Sequence, residues 1–177
     1  MATRTEFRLT GSGGQGLITA GIILAEACIL DGKKAIQTQS YGPEARGGSS
    51  KAEVIVSDSE IYYPKAVEPQ YVLCLTTEAF EKFGRSSVGK GTIIADTTVD
   101  TGDATGVIKV PVLKTAAEEL KPIVANVISL GFLGTFSGVV SKDAMKEALL
   151  ARVPKGTEAL NEKALEKGIE MAMAART

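Results

Sequence analysis

A glycine-rich turn joins the first strand pattern of the chain to its first helix pattern. The turn, TGSGGQG at residues 10–16, follows a short apolar strand pattern at residues 7–9. Residues 17–30 are apolar nearly all round, and residues 34–39 form a second strand pattern. This order predicts a parallel pair of strands joined by a right-handed crossover. A helix without a polar face is expected to be buried on more than one side.

The glycines of this turn have the GxGxxG spacing of a dinucleotide-binding loop. Gly11, Gly13 and Gly16 let the backbone approach a ligand closely, and the helix that follows points its free N–H groups at an anion. An NAD site also needs an acid about 20 residues further on, at the end of the second strand. That end reads IQTQS (36–40), and Asp31 precedes the strand. The residues leave three interpretations open: a dinucleotide, another phosphate-bearing ligand, or a structural turn.

The rest of the chain alternates strand and helix patterns. The run YVLCL at residues 71–75 is typical of a central parallel strand that is covered on both faces. Further strands are expected at residues 52–56, 61–63, 92–96 and 106–112, and helices at residues 78–83, 115–120 and 124–138 and after Ser141 and Thr157, which are candidate N-caps. We therefore predict an α/β fold: a single Rossmann-like three-layer domain over residues 1–177, with a mostly parallel sheet and helices on both faces.

Composition excludes several classes of function. The chain has no histidine, which excludes Ser-His and Cys-His nucleophiles and histidine-ligated metals. Its two cysteines, Cys28 and Cys74, lie in apolar runs, so we expect them to pack in the core, as in a reducing, cytoplasmic setting. With 20 basic and 21 acidic residues the net charge is −1, and no nucleic-acid partner is expected.

The longest uncharged run, residues 122–141, contains Asn126, Ser129 and several glycines. We interpret it as a buried helix and expect no membrane span. Its glycines, among them Gly131, offer a close-packing face, either for the core or for another subunit. No apolar stretch precedes the first strand pattern, so no secretory signal is predicted.

A second loop rich in turn residues, SYGPEARGG at residues 40–48, follows the second strand. Open α/β sheets bind ligands at such positions. Arg46 is followed by Gly47 and Gly48, whose amides together with the guanidinium group suit an anion. The alternative is a solvated turn with a local Glu44–Arg46 pair that contributes under about 1 kcal/mol.

Taken together, the two loops and the segment ANVISLG at residues 125–131 resemble the gamma subunit of the 2-oxoacid:ferredoxin oxidoreductases, over roughly residues 6–175. The resemblance favours the small stand-alone gamma subunit of 2-oxoglutarate enzymes over that of pyruvate enzymes. It implies an enzyme of several subunits that converts a 2-oxoacid, CoA and oxidised ferredoxin to acyl-CoA, carbon dioxide and reduced ferredoxin. The beta subunit of indolepyruvate oxidoreductase shares this domain and is an alternative.

The resemblance also implies a division of labour between subunits. Thiamine diphosphate and magnesium are expected on alpha and beta subunits, and 4Fe–4S clusters on the beta subunit or a ferredoxin-like delta subunit. This chain is expected to bind no cofactor or metal alone, to supply no catalytic residue, and to dock on those subunits while shaping the channel for CoA or the oxoacid. We also expect that the isolated chain can form a homodimer. A stand-alone nucleotide- or CoA-binding module is the alternative.

The candidate site consists of residues from both loops, as contacts to a ligand or a partner. Arg46 is expected to meet an anion, and Tyr41 and Glu44 to orient the second loop or touch the partner. The full set is Gly11, Gly13, Gly14, Gln15, Gly16, Tyr41, Glu44, Arg46, Gly47 and Gly48.

Overall fold

The computed structural model describes residues 3–40 and 48–177. Its strands are β1 (Arg4–Ser12), β2 (Lys34–Gln39), β3 (Ser49–Ser57), β4 (Tyr71–Cys74), β5 (Thr92–Asp96) and β6 (Ile108–Val110). Its helices are α1 (Leu17–Leu30), α2 (Thr77–Ala79), α3 (Val112–Glu119), α4 (Ala125–Ser137), α5 (Lys142–Leu150) and α6 (Glu158–Arg176).

The six strands form one sheet in the order β2-β3-β1-β4-β5-β6. The strands β1, β4, β5 and β6 pair in parallel with their neighbours, whereas β3 runs antiparallel to both β1 and β2. A mostly parallel α/β sheet is therefore confirmed. The prediction that β1 and β2 pair directly is wrong, because β3 lies between them. Only residues 40–48 separate β2 from β3, too few for the crossover that a parallel pair needs, so β3 turns back between them.

Helices cover both faces of the sheet, as expected. On one face α1 packs on β1, β2 and β3 and α4 packs on β4, while α5 and α6 pack on these helices from outside. On the other face α2 continues into a π-helical turn, Phe80–Gly84, and a short 3₁₀ turn, Arg85–Ser87. Residues of β4 alternate between the two cores: Leu73 joins the larger core, and Cys74 joins the smaller core with Phe80. The second face thus has a thinner cover.

Helix α1 has the burial that its composition predicts. Eight of its residues are buried between the sheet and the helices α4 and α5. The exposed residues of α1 are Thr19 near its start and Ile29 and Leu30 at its end. Both cysteines are free and fully buried, which confirms their expected packing.

Two glycines let α4 and α6 touch backbone to backbone. A Cβ atom at Gly131 would lie 2.4 Å from the carbonyl oxygen of Leu165, and one at Gly168 would lie 2.0 Å from that of Ile128. The glycine face of α4 therefore packs within the core of this chain and not against another subunit. Gly138, in contrast, ends α4 with a left-handed φ of 72°.

The two predicted N-caps and one predicted strand have different outcomes. Ser141 caps α5 as expected, since its hydroxyl accepts from the Ala144 N–H at 3.1 Å. Thr157 takes the N-cap position of α6, but its hydroxyl donates to the Pro154 carbonyl and caps no N–H. Residues 61–63 form no strand. Within the two described ranges, no helix is both long and apolar enough to span a membrane.

Candidate functional site at the carboxyl edge of the sheet

The glycine turn lies where the parallel strands end, an edge that we call the carboxyl edge. At β1 the connections of the chain diverge: α1 leads to β2 on one side, and β4 is the neighbour on the other. The crevice above such a divergence is where open α/β sheets bind ligands. The loops that follow β1 and β4 therefore define the candidate site.

Gln15 folds back and closes the glycine turn. Its side-chain Oε1 accepts from the Ser12 N–H at 2.8 Å, and its own N–H donates to the Ser12 carbonyl at 3.2 Å. A Cβ atom at Gly11 would lie 2.2 Å from this Oε1, so glycine is needed there to admit the Gln15 side chain. Gln15 is thus a structural clamp, while Gly13 and Gly14 are left exposed to solvent.

Asn126 fixes the other end of the turn. Its Nδ2 donates to the Gly16 carbonyl at 3.1 Å, and a Cβ atom at Gly16 would lie 2.7 Å from that nitrogen. Gly16 has a left-handed φ of 71°, which favours glycine, and it is the N-cap residue of α1. This contact could not be predicted from the sequence, because nothing in the spacing of two residues that are 110 positions apart indicates that they touch.

The N-terminus of α1 suits an anion. No side chain caps it, and its first turn contains no acidic residue. The unpaired N–H groups and the positive end of the helix dipole therefore face the exposed part of the glycine turn. Backbone amides in this arrangement stabilise phosphate or carboxylate groups without a cationic side chain.

The strand order removes the usual place for a dinucleotide ribose. In a dinucleotide-binding fold the second strand lies beside the first, so an acid at its end reaches the ribose. Here β3 occupies that position, with Ser50 opposite Gly11 and Ser49 opposite Ser12. The end of β2 is two strand spacings away, about 10 Å. Together with the missing acid after Gln39, this geometry disfavours the dinucleotide interpretation.

The second predicted loop reaches the same edge. Tyr41, Glu44, Arg46 and Gly47 lie outside the described residues. Gly48 is half-buried and immediately precedes β3, whose first residue pairs with the last residue of β1. The end of the second loop, Gly48, is therefore adjacent to the start of the glycine turn.

Two further groups at this edge were not identified from the sequence. The Thr76 hydroxyl follows β4 and accepts from the Ala79 N–H at 3.1 Å, which caps α2. The Ser49 hydroxyl is buried and has no hydrogen-bond partner in the part of the chain that the structure describes. A polar residue directly after a parallel strand can be recognised in the sequence as a candidate for this edge. Thr76, which follows the strand pattern at residues 71–75, is such a residue.

The described part of the carboxyl edge combines one buried thiol with backbone and hydroxyl groups. Burial raises the pKa of the Cys74 thiol, at the end of β4, to about 11, so it is not a thiolate at neutral pH; the same holds for Cys28 at the opposite end of α1, where burial raises the pKa to about 12. Among residues 3–40 and 48–177 no three metal-ligating side chains come together. What this edge offers is backbone N–H groups, hydroxyls and a helix N-terminus.

Comparison with known proteins identifies the family. Residues 6–171 match the family model of pyruvate ferredoxin/flavodoxin oxidoreductase. The 2-oxoglutarate synthase subunit KorC of Methanocaldococcus jannaschii is 46% identical over 176 residues, covering 96% of this chain and 94% of the relative. The gamma subunit of a keto/oxoacid ferredoxin oxidoreductase from Geobacter sulfurreducens is 42% identical, with a TM-score of 0.87 and 98% of both chains covered.

A longer chain contains the same fold as one of its parts. The 2-oxoglutarate:ferredoxin oxidoreductase of Magnetococcus marinus matches 97% of this chain but only 31% of its own chain, with a TM-score of 0.82 at 24% identity. The fold therefore occurs both alone and joined to further domains. The resemblance to gamma subunits is confirmed, and this chain belongs to the pyruvate ferredoxin/flavodoxin oxidoreductase family.

Proposed function

We propose that this chain is the gamma subunit of a 2-oxoglutarate:ferredoxin oxidoreductase. The observation that carries the proposal is its similarity, over nearly the whole of both chains, to a subunit of 2-oxoglutarate synthase. In the reaction a 2-oxoacid, CoA and oxidised ferredoxin give an acyl-CoA, carbon dioxide and reduced ferredoxin. The chain takes part as one subunit and is not catalytic alone.

The redox and carbon chemistry belongs to partner subunits in this proposal. Thiamine diphosphate, magnesium and 4Fe–4S clusters are held by the alpha and beta subunits, with a delta subunit where one is present, and ferredoxin is the acceptor. The composition of this chain supports the assignment, because two buried cysteines cannot ligate a cluster and no histidine is present. The contribution of the gamma subunit is then binding and positioning.

The ligand that fits the carboxyl edge is the phosphate-bearing part of CoA. The N-terminus of α1 and the exposed amides of Gly13 and Gly14 favour an anion. Arg46, Gly47 and Gly48 belong to the loop that ends beside the glycine turn, and we assign Arg46 the second contact to the same anion. The Magnetococcus marinus relative has coenzyme A bound in its structure. A partner subunit completes the site.

The variant Arg46→Ala in the reconstituted complex tests this assignment. A charge-assisted hydrogen bond contributes about 1.5–3 kcal/mol, so we expect the KM for CoA to rise by about 10- to 100-fold. Arg176→Ala is the matched control: it removes one arginine from the far end of α6, where the side chain bonds the Thr135 carbonyl. Its kinetics should equal those of the wild type. Unchanged turnover and CoA affinity in Arg46→Ala would contradict the assignment.

A titration of the purified chain separates this proposal from a stand-alone module. With CoA, NAD and FAD as probes, the gamma-subunit proposal predicts that tight CoA binding requires the partner subunits. Tight binding of CoA or a dinucleotide to the chain alone, with no partner subunit retained on purification, would favour the stand-alone module instead.

A further inference from the structure

The side chain of Asn126 connects the starts of two helices. It lies in the first turn of α4, and its Nδ2 donates to the carbonyl of Gly16, the N-cap residue of α1, at 3.1 Å. Its Oδ1 accepts from the Val127 N–H of α4 at 2.9 Å. The reverse orientation of the amide would set two oxygens against each other at Gly16, so the hydrogen-bond pattern allows one orientation only.

The Gly16 carbonyl accepts two hydrogen bonds. Besides the bond from Asn126, it accepts from the Ala20 N–H at 3.1 Å, which is the bond that begins α1. A carbonyl oxygen has two lone pairs, so both are used. The peptide group between Gly16 and Leu17 is planar and trans, and the Leu17 N–H therefore points away from this carbonyl. Fixing the carbonyl thus fixes the first free N–H group of α1.

The N–H groups fixed in this way are those that face the proposed anion. Leu17, Ile18 and Thr19 precede the first helical bond of α1, so their N–H groups have no acceptor within the helix. Gly13 and Gly14 have no side chain that could hold the turn, and glycine loses more conformational freedom on ordering than other residues. A turn that is ordered before the ligand arrives loses less entropy on binding and binds more tightly.

The helix that carries Asn126 is closely packed. Gly131 of α4 and Gly168 of α6 bring the two backbones into contact, and nine residues of α4 are buried. Asn126 itself is half-buried and uncharged, so it does not compete with the turn for an anion. A neutral donor on a firmly held helix is suited to fixing the geometry of a binding loop.

A second observation at the carboxyl edge points to a polar ligand. Ser49, which lies opposite Ser12 in the pair of β3 and β1, is 2% exposed, and its hydroxyl has no hydrogen-bond partner among the residues that the structure describes. Buried hydroxyls of folded proteins are nearly always paired. An orphaned hydroxyl beside the end of β1 is an independent indication that this edge takes a polar group from outside the chain.

We propose that Asn126 is a positioning residue of the CoA-binding site, an inference that rests on the proposed function. Asn126 acts through Gly16: it holds the peptide between Gly16 and Leu17 so that the N–H groups of the glycine turn and of α1 are directed at a phosphate group before CoA binds. The affinity for CoA then depends on Asn126, whereas the turnover rate at saturating CoA does not.

Two variants of Asn126 in the reconstituted complex separate positioning from stability. Asn126→Ala removes both side-chain hydrogen bonds. Asn126→Asp keeps the acceptor for the Val127 N–H, and an acid in the first turn favours a helix, but it sets a carboxylate oxygen against the Gly16 carbonyl. We expect the KM for CoA to rise about 3- to 10-fold in Asn126→Ala and about tenfold or more in Asn126→Asp. The kcat and the KM for 2-oxoglutarate should stay unchanged, and calorimetry without the 2-oxoacid should give the same rise in the dissociation constant of CoA.

Asn161→Ala is the matched control. Asn161 is 7% exposed, and its Nδ2 donates to the Thr157 carbonyl at 2.9 Å, so this variant loses the same kind of bond at the start of α6. Its thermal midpoint should fall at least as much as that of Asn126→Ala, because Asn161 is more deeply buried, while its affinity for CoA stays that of the wild type. Asn126 variants that lower only the thermal midpoint, or that lower kcat with an unchanged KM for CoA, would overturn the proposal. Asn126→Asp, which keeps the bond within α4, gives the answer if Asn126→Ala does not fold.

The outcomes distinguish this inference from the proposed function. A raised KM for CoA in Arg46→Ala together with a wild-type KM in both Asn126 variants would refute the role of Asn126 and leave the CoA site in place. A raised KM in the Asn126 variants with a normal KM in Arg46→Ala would support positioning and contradict the Arg46 contact. If the complex turns over normally with CoA without this chain, both the proposed function and the role of Asn126 fail.

Discussion

The substitution Gly168→Ala should destabilise the chain although alanine favours helices. A Cβ atom at this position of α6 would lie 2.0 Å from the Ile128 carbonyl oxygen and 2.8 Å from the Phe132 nitrogen. Both atoms belong to the backbone of α4, so neither can rotate away. The two helices must separate by about 1 Å or more, which disturbs the packing of the nine buried residues of α4.

The expected magnitude follows from two opposing contributions. Overpacking of a core costs about 1–3 kcal/mol, and backbone atoms on the far side place this case at the upper end. Replacement of glycine by alanine inside a helix raises the free energy of unfolding by about 1 kcal/mol. We expect Gly168→Ala to lower the free energy of unfolding by about 2 kcal/mol, which in a chain of this size lowers the thermal midpoint by about 4–8 °C.

Gly21→Ala in α1 is the matched control, because the added Cβ atom meets only ordinary van der Waals contacts and no backbone atom within 3.4 Å. Its Cβ atom would lie 3.4 Å from the Ala52 Cβ, an ordinary contact distance. The helix preference should then dominate and raise the thermal midpoint by about 2–4 °C. Calorimetry or thermal circular dichroism measures both variants. A Gly168→Ala chain as stable as the wild type, or a strongly destabilised Gly21→Ala chain, would refute the packing argument.

Two further predictions concern buried or capping groups. Burial raises the pKa of the Cys28 thiol to about 12 and that of Cys74 to about 11, whereas thiols of the unfolded chain ionise near about 8.5. The unfolded chain therefore loses these protons first, and the free energy of unfolding should fall as the pH rises above about 8.5. The fall should be less steep in Cys74→Ala, and urea titrations at pH 7 and 10 measure it. Equal slopes in variant and wild type would contradict this. Thr76→Ala removes the cap of α2 and should cost about 1 kcal/mol in the same titrations, whereas Thr77→Ser, which keeps a hydroxyl, should cost less.

Local patterns in the sequence were sufficient for most elements of the fold. The apolar run at residues 17–30 and the strand patterns at residues 34–39 and 92–96 have the same bounds in the structure. Their limits follow from short-range signals such as the glycine turn before α1 and the Asp31-Gly32 pair after it. Strand order does not follow from such signals, and the insertion of β3 between β1 and β2 was missed for that reason.

In the candidate site, too, local features could be predicted from the sequence and tertiary contacts could not. The glycine turn was identified from its spacing, but its organisation depends on contacts with residues distant in the chain. Asn126 binds the turn from α4, and β3 fills the place where a dinucleotide would need an acid. Both the Asn126 contact and the position of β3 depend on tertiary structure. The spacing of the glycines alone is therefore compatible with a dinucleotide, and only the strand order disfavours it.

Residues 61–63, in the loop between β3 and β4, were mistaken for a strand because Ile61, Tyr62 and Tyr63 are residues that strands favour. In the structure they follow β3 in a loop fixed by Glu6, and Tyr62 and Tyr63 face solvent. A strand preference without a neighbouring strand to pair with produces no strand.

An omission assay tests the central claim most directly. Ferredoxin reduction with 2-oxoglutarate and CoA is measured for the partner subunits alone and after this chain is added back. If the chain is the gamma subunit, activity or CoA affinity should be lost without it and restored by a stoichiometric amount of it, while the chain alone should reduce no ferredoxin. Full turnover with an unchanged KM for CoA in its absence would contradict the account.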